Sequence, residues 1–333
     1  MFRRNMCALG LILILGSDVW SEIPSPSGDP FIGDYEGTYR STGRPDYSAT
    51  AKVIAEGRGL YRLLVQYTPP STESWTYQIE LHGQSGGPRL FFNGFSNADR
   101  WEGTVQDGKL SVRKGGTHYG GGFSLSKVIK HSPTEGLKPP KGAKVLLPYS
   151  KDEKTSLESW TNDKWTLGDD GTMQVGKGDN RTRERFGDVE IHMEFNLAHM
   201  PNSHGQGRSN SGIYFQDRYE VQILDSFGLI QGSGDCGSIY EQSVALVNMT
   251  YPPGQWQTFD IVFMAATFDK NGKVKKFPTI TVKLNGVVVQ DKHIYEKVTG
   301  GAVNDKVVER GPMRLQDHGN PVRFRNIWVK ELN

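Results

Sequence analysis

The chain has 333 residues, 36% hydrophobic and 11% aromatic, with 39 Lys and Arg against 37 Asp and Glu. That is enough apolar material for two ordinary cores, and a near-neutral balance without a basic run excludes nucleic acid as a partner, which needs a concentrated positive face. The 40 glycines, with no long run at helical spacing, predict many turns joining short strands, so the expected fold class is all-β.

Met1–Ser21 has the form of an export leader: Arg3 and Arg4, an apolar core over Ala8–Leu15, and Val19-Trp20-Ser21 before the cleavage point. The apolar run is shorter than the roughly 20 residues that span a bilayer. Removal on export is expected, giving a secreted or periplasmic protein with no membrane attachment. Cys7 precedes the apolar run instead of following it, which argues against a lipid anchor. Cys236 is then the one remaining cysteine, so no intrachain disulfide can form.

After a polar, proline-punctuated lead-in at Ser21–Pro30, residues 22–130 read as a first domain of short alternating runs separated by turn residues. Asp107-Gly108 between Val105 and Leu110 is a two-residue hairpin signal. An antiparallel meander, closed or half-closed into a barrel, is predicted. His131–Lys144, HSPTEGLKPPKGAK, has prolines and glycines and no apolar period, so 131–143 reads as an accessible linker and 144–333 as a second domain.

In the second domain Asp188–Leu197 alternates without error: Val189, Ile191, Met193, Phe195 and Leu197 face the core and Glu190, His192, Glu194 and Asn196 face away. Trp256–Phe263, Ile280–Leu284, Val287–Val289, Met313–His318 and Val322–Val329 are further strand candidates, with Asn285-Gly286 a hairpin turn. Antiparallel strands with one apolar face each must stack as two sheets, a β-sandwich or jelly roll, and the polar face of one sheet can then form a groove.

The densest candidate is Asn210–Gly228, NSGIYFQDRYEVQILDSFG, read as a β-hairpin. Ile213, Phe215, Val221 and Ile223 share the core face; Asn210, Tyr214, Gln216, Glu220 and Gln222 share the other. Parity sets Phe215 against Val221 and Gln216 against Glu220, around a loop Asp217-Arg218-Tyr219. The alternation breaks at Leu224-Asp225. A bulge there would swing Asp225 onto the face of Glu220; a strand ending at Leu224 makes Asp225 a turn residue with Ser226.

No zinc-protease, phosphate-loop, nucleophile-elbow or complete EF-hand pattern is present. What remains is the polar face: Glu194, Tyr214, Gln216, Glu220, Gln222, Arg314, Gln316, His318 and, with a bulge, Asp225. A merely solvated face is usually filled by lysines and mixed charges, whereas these residue types pair directionally with hydroxyls, which favours a sugar groove. The plain alternatives are a cross-strand arginine partner for Glu220, a turn role for His318, surface pairing for Arg323 and Arg325, and core packing for Trp160, Trp165, Trp256 and Trp328.

The hairpin, together with Cys236-Gly237-Ser238-Ile239-Tyr240, PPGQWQTFDIVF at Pro252–Phe263 and GPMRLQDHGNPVRFRNIWV at Gly311–Val329, closely resembles the 3-keto-glycoside lyase/hydratase family, also called 3-keto-disaccharide hydrolases. The resemblance covers about Lys144–Leu332. It implies a concanavalin A-like jelly roll and a 3-keto sugar as substrate, and the preceding meander resembles an N-terminal β-domain found in some members, with no assigned activity. A ketone at C3 acidifies the C2 hydrogen, so a base can remove it and the aglycone can leave from C1, with water adding back later. On that resemblance Glu220 is the candidate base, Gln222, Gln216 and Arg314 contact the C3 oxygen or hydroxyls, and His318 or Asp225 is the acid. Glu194, Tyr214 and Gln316 complete the sugar contacts. A divalent cation held by Glu, Asp and His side chains would be an alternative electrophile at the C3 oxygen, and the sequence assigns no ligand set for it. Two other readings stand beside this one: a non-catalytic lectin-like sugar binder, and an ordinary glycoside hydrolase using Glu220 and Asp225.

Overall fold

The computed structural model describes residues 28–68, 76–115, 121–149 and 156–332; the expected leader Met1–Ser21 lies outside the described residues. The structure is all-β. Strands β1 (Gly33–Arg40), β2 (Tyr47–Gly57), β3 (Leu60–Tyr67), β4 (Tyr77–Gly86), β5 (Arg89–Ser96), β6 (Asp99–Gln106), β7 (Lys109–Lys114) and β8 (Gly122–Val128) pair in sequence. β8 returns to β1, closing an antiparallel barrel. Alternate residues such as Val53, Leu63, Val65, Leu81, Leu90 and Val105 point inward and fill it, so the interior is a packed core. Asp107-Gly108 forms the expected two-residue turn, with φ of 49° and 68°.

The second unit comprises β9 (Lys144–Leu147), β10 (Thr166–Leu167), β11 (Met173–Gln174), β12 (Asn180–Arg181), β13 (Val189–Asn196), β14 (Asn210–Phe215), β15 (Tyr219–Leu224), β16 (Trp256–Met264), β17 (Thr267–Phe268), β18 (Val274–Lys276), β19 (Thr279–Leu284), β20 (Val287–Ile294), β21 (Arg314–Leu315) and β22 (Arg323–Glu331). A large sheet runs β10-β11-β22-β13-β16-β19-β20, with β9 paired to β22, and a small sheet runs β12-β21-β14-β15. Their apolar faces share one core, in which Ile191, Phe195 and Phe263 of the large sheet meet Ile213, Phe215 and Val221 of the small one. The Phe215 and Phe263 rings stack at 4.8 Å. The polar side of the small sheet therefore faces away from the core, and the polar side of the large sheet faces the opposite way.

That second polar face is covered. β13 lies between β22 and β16, so His192 and Glu194 on its outer side are fully buried and need partners. His192 finds them in Asp260 and Glu194, and the first residues of the segment expected as an accessible linker close over the group. Thr134 donates to Asp260 at 2.7 Å, the Ser132 and Thr258 hydroxyls are 2.6 Å apart, and the Gly136 amide donates to Glu194 at 2.6 Å. Residues 131–137 thus form a docked strap, and the exposed stretch follows it. The barrel also bonds to the second unit: Arg62 donates to the Gly228 carbonyl at 3.3 Å and the Arg58 amide to Asn202 at 3.2 Å.

Candidate active site

In the hairpin, Tyr214 opposes Glu220 and Phe215 opposes Tyr219, leaving Gln216-Asp217-Arg218 as the loop. The expected loop length is right and its position is one residue late. Both registers put each strand residue on the same face, so alternation cannot choose between them. Two features do. Gln216 and Asp217 take positive φ (54° and 61°), starting the turn earlier, and the Tyr219 ring joins the core 4.7 Å from Tyr295.

On the outer face Glu220 is 2% exposed. Its side chain folds over Gly212, where a Cβ would stand 2.3 Å from Oε1, so a larger residue at 212 would evict the carboxyl. Asp34, Glu194, Asp217, Glu220 and Asp225 are the buried carboxylates among the described residues. The other four are ion-paired: Asp34 to Lys52, Glu194 to Arg325, Asp217 to Arg314 and Arg181, and Asp225 to Arg208. Glu220 has no ion pair among the described residues. Burial pushes its carboxyl up to about 7 against the opposing pull of Tyr214 and Arg314, with the charges of Asp179 and Glu241 adding to the rise.

Around it stand fixed donors and acceptors. Burial, then the Glu220 charge, holds the Tyr214 phenol far above its ordinary value, so it stays protonated. Its oxygen donates to the Gly300 carbonyl at 3.2 Å and accepts from Gln316 Nε2 at 3.2 Å. The Arg314 guanidinium lies 3.7 Å over the Tyr214 ring, with Nη1 2.9 Å from Asp217 and Nη2 donating to the Gly301 carbonyl at 2.7 Å. Its Nε is buried without a partner. Gln222, two residues from Glu220 on the same face, donates from Nε2 to Gln206 Oε1 at 3.0 Å and Asn210 Oδ1 at 3.1 Å. Gln222 Oε1 is buried and unpartnered, an acceptor aimed at no protein donor.

Tyr214, Glu220, Gln222, Arg314 and Gln316 are therefore gathered, and His318 lies in the exposed turn after Gln316. Three expected members lie elsewhere. Asp225 ends the strand instead of bulging onto the Glu220 face: its carboxylate takes Arg208 Nε at 2.7 Å and caps the Phe227 amide at 3.3 Å. Glu194 sits on the large sheet's outer face, bound by Arg325 at 2.6 Å, Asn326 at 2.9 Å and the strap, because β13 belongs to the other layer. Gln216 has turned out of the strand and donates to the Glu309 carbonyl at 2.9 Å. Sequence reasoning missed Asp179, Asp217, Arg181 and Gln206, which lie in a loop, the hairpin turn, a two-residue strand and a single 3-10 turn, where no periodicity marks them.

Among the described residues no three His, Cys, Asp or Glu side chains are grouped to hold a metal ion. The acids that engage Arg314, Asp179 and Asp217, are also paired with Arg181. The donor set does not fit a divalent cation.

A family model described as a 3-keto-alpha-glucoside-1,2-lyase-like domain matches residues 144–330. A protein from Parabacteroides distasonis ATCC 8503, named provisionally as a glycosyl hydrolase, is 36% identical over 58% of this chain and 85% of its own, with a TM-score of 0.52. A second protein of that organism with the same provisional name is 17% identical over 62% of this chain and 99% of its own, with a TM-score of 0.41, too remote to bear on fold or function. No curated protein matches the chain.

Proposed function

Because the chain belongs to the 3-keto-alpha-glucoside-1,2-lyase-like family through residues 144–330, we propose that it is an exported enzyme that cleaves 3-keto-glycosides on a concanavalin A-like jelly roll, with Glu220 as the base at C2. The observation that carries this reading is the state of Glu220: buried, without an ion pair among the described residues and with its carboxyl pushed up to about 7. A carboxylate so placed is a stronger base than an ordinary one and is available near neutrality.

The C3 ketone lets the charge left at C2 spread onto the C3 oxygen, so abstraction gives an enolate. The free Nε–H of Arg314 is the donor for that oxygen, and Gln222 Oε1 accepts from a sugar hydroxyl. As the enolate collapses, the C1–O bond breaks, a C1=C2 double bond forms, and the departing aglycone oxygen takes a proton from His318. Water adding across C1=C2 returns the free 3-keto sugar. Ordinary two-carboxylate hydrolysis is less well supported, because Asp225, the partner that the sequence offers, is committed to Arg208.

The test is turnover in deuterium oxide. Product from a 3-keto-glycoside should carry deuterium at C2, and the matching glycoside with a C3 hydroxyl should be inert. Cleavage of the unoxidised glycoside without label would establish a glycosidase instead.

A further inference from the structure

Packing does not explain the outer face of the barrel around β5. Leu90 and Phe92 point into the core, yet Phe91 and Phe95, on the solvent side, are 46% and 78% exposed. Exposed rings on a strand promote association, and soluble strands normally carry polar residues there. Phe91 stands as a ridge between two shallow concavities of about 530 and 680 Å³. Gly86 keeps one flank of the ring clear, since a Cβ there would touch it at 3.5 Å.

The surroundings define what would lie on these rings. Gln84, Phe91, Thr104 and Ser111 are successive cross-strand neighbours, forming one row over four strands. Arg100 and Arg113 both pair with Glu102, at 3.3 and 3.2 Å. Amides and hydroxyls beside an apolar ring, with Arg100 and Arg113 both engaged by Glu102, suit an uncharged polyhydroxylated ligand. A phosphate would need free cations, and an added peptide strand would need a sheet edge that the closed barrel lacks.

We propose that this face is a second carbohydrate-binding surface, taking a neutral polysaccharide against Phe91 and Phe95; the choice of sugar rests on the catalytic reading above. Leu60 lines one concavity and is two residues from Arg58, whose amide bonds to Asn202. A glycan held here stays beside the catalytic unit.

Affinity electrophoresis of the full-length mature protein in gels containing mixed-linkage β-glucan, xylan, dextran or pullulan tests this. At least one polysaccharide should retard the wild type, and the Phe91→Ala/Phe95→Ala variant should bind it at least about tenfold more weakly, with an unchanged melting curve. Retardation by none of the four, or equal retardation of both proteins, overturns the proposal. So does a wild-type dimer that the variant converts to monomer without any change in retardation. Turnover of a small 3-keto-glycoside is measured on the same samples and should be unchanged. Absence of turnover in both proteins would refute the catalytic reading while leaving the binding result to stand by itself.

Discussion

Tyr214 and Glu220 face each other directly across the β14–β15 ladder, and the guanidinium stacked 3.7 Å above the Tyr214 ring forms its ion pair with Asp217 instead of Glu220. Arg314 lowers the Glu220 carboxyl only by its field, and burial outweighs that. A direct ion pair with Arg314 would oppose burial more strongly and make the carboxylate a weaker base. Asp217 in the hairpin turn thus preserves the basicity of a residue three positions away.

This has opposite consequences for activity and stability. A folded Glu220 keeps its proton up to about pH 7, whereas an ordinary glutamate loses it near 4.5. Between those values the folded state binds more protons, so the Glu220 contribution is fully favourable below about pH 4.5 and falls as pH rises, by on the order of 3 kcal/mol in all. kcat/KM should instead rise about tenfold per pH unit below 7, as Glu220 loses its proton. Glu220→Gln should abolish turnover, melt with the wild type at pH 5 and melt above it at pH 8. Equal melting temperatures at pH 8 would mean that Glu220 titrates normally.

Asp225 should behave as a structural residue. Asp225→Asn leaves the Arg208 charge buried without its partner and should cost about 3–5 kcal/mol, read by denaturant unfolding. Folded Asp225→Asn should keep most of its kcat. A loss of turnover comparable to that of Glu220→Gln, in protein that is still folded, would restore Asp225 to the chemistry.

Gln222 should act on substrate affinity more than on the chemical step. Gln222→Ala removes the free acceptor and two hydrogen bonds that hold Gln206 and Asn210. A fall of about 10- to 100-fold in kcat/KM, carried mainly by KM, is expected. An unchanged KM would place the sugar elsewhere on the face.

The strap makes a prediction for proteolysis. Lys141 and Lys144 are exposed, while Ser132, Thr134 and Gly136 are bonded to the large sheet. Trypsin should cut after Lys141 or Lys144, yet the two pieces should co-elute on size exclusion until denatured. Separation under native conditions would mean that neither the strap nor the Arg62 and Arg58 contacts hold the units together.

Alternation alone was sufficient for the layers. It put Ile213, Val221 and Ile223 in the core and Tyr214, Glu220 and Gln222 on the opposite face, because a strand reverses direction at every residue whatever packs on it. The turn chemistry of Asp107-Gly108 and Asn285-Gly286 was equally local, since both pairs hold the positive φ that such turns demand. Alternation does not say which of two sheets a polar face belongs to. Glu194 and Glu220 have the same pattern in the sequence, but one lies under the strap and the other by Gly212, on opposite sides of the core. Nor does it say which acid meets an arginine. Arg208, Arg181 and Arg325 find Asp225, Asp217 and Glu194 across 17, 36 and 131 residues of chain. Among the described residues Glu220 becomes the buried carboxylate without an ion pair only once those pairings are complete, and three-dimensional packing alone decides them.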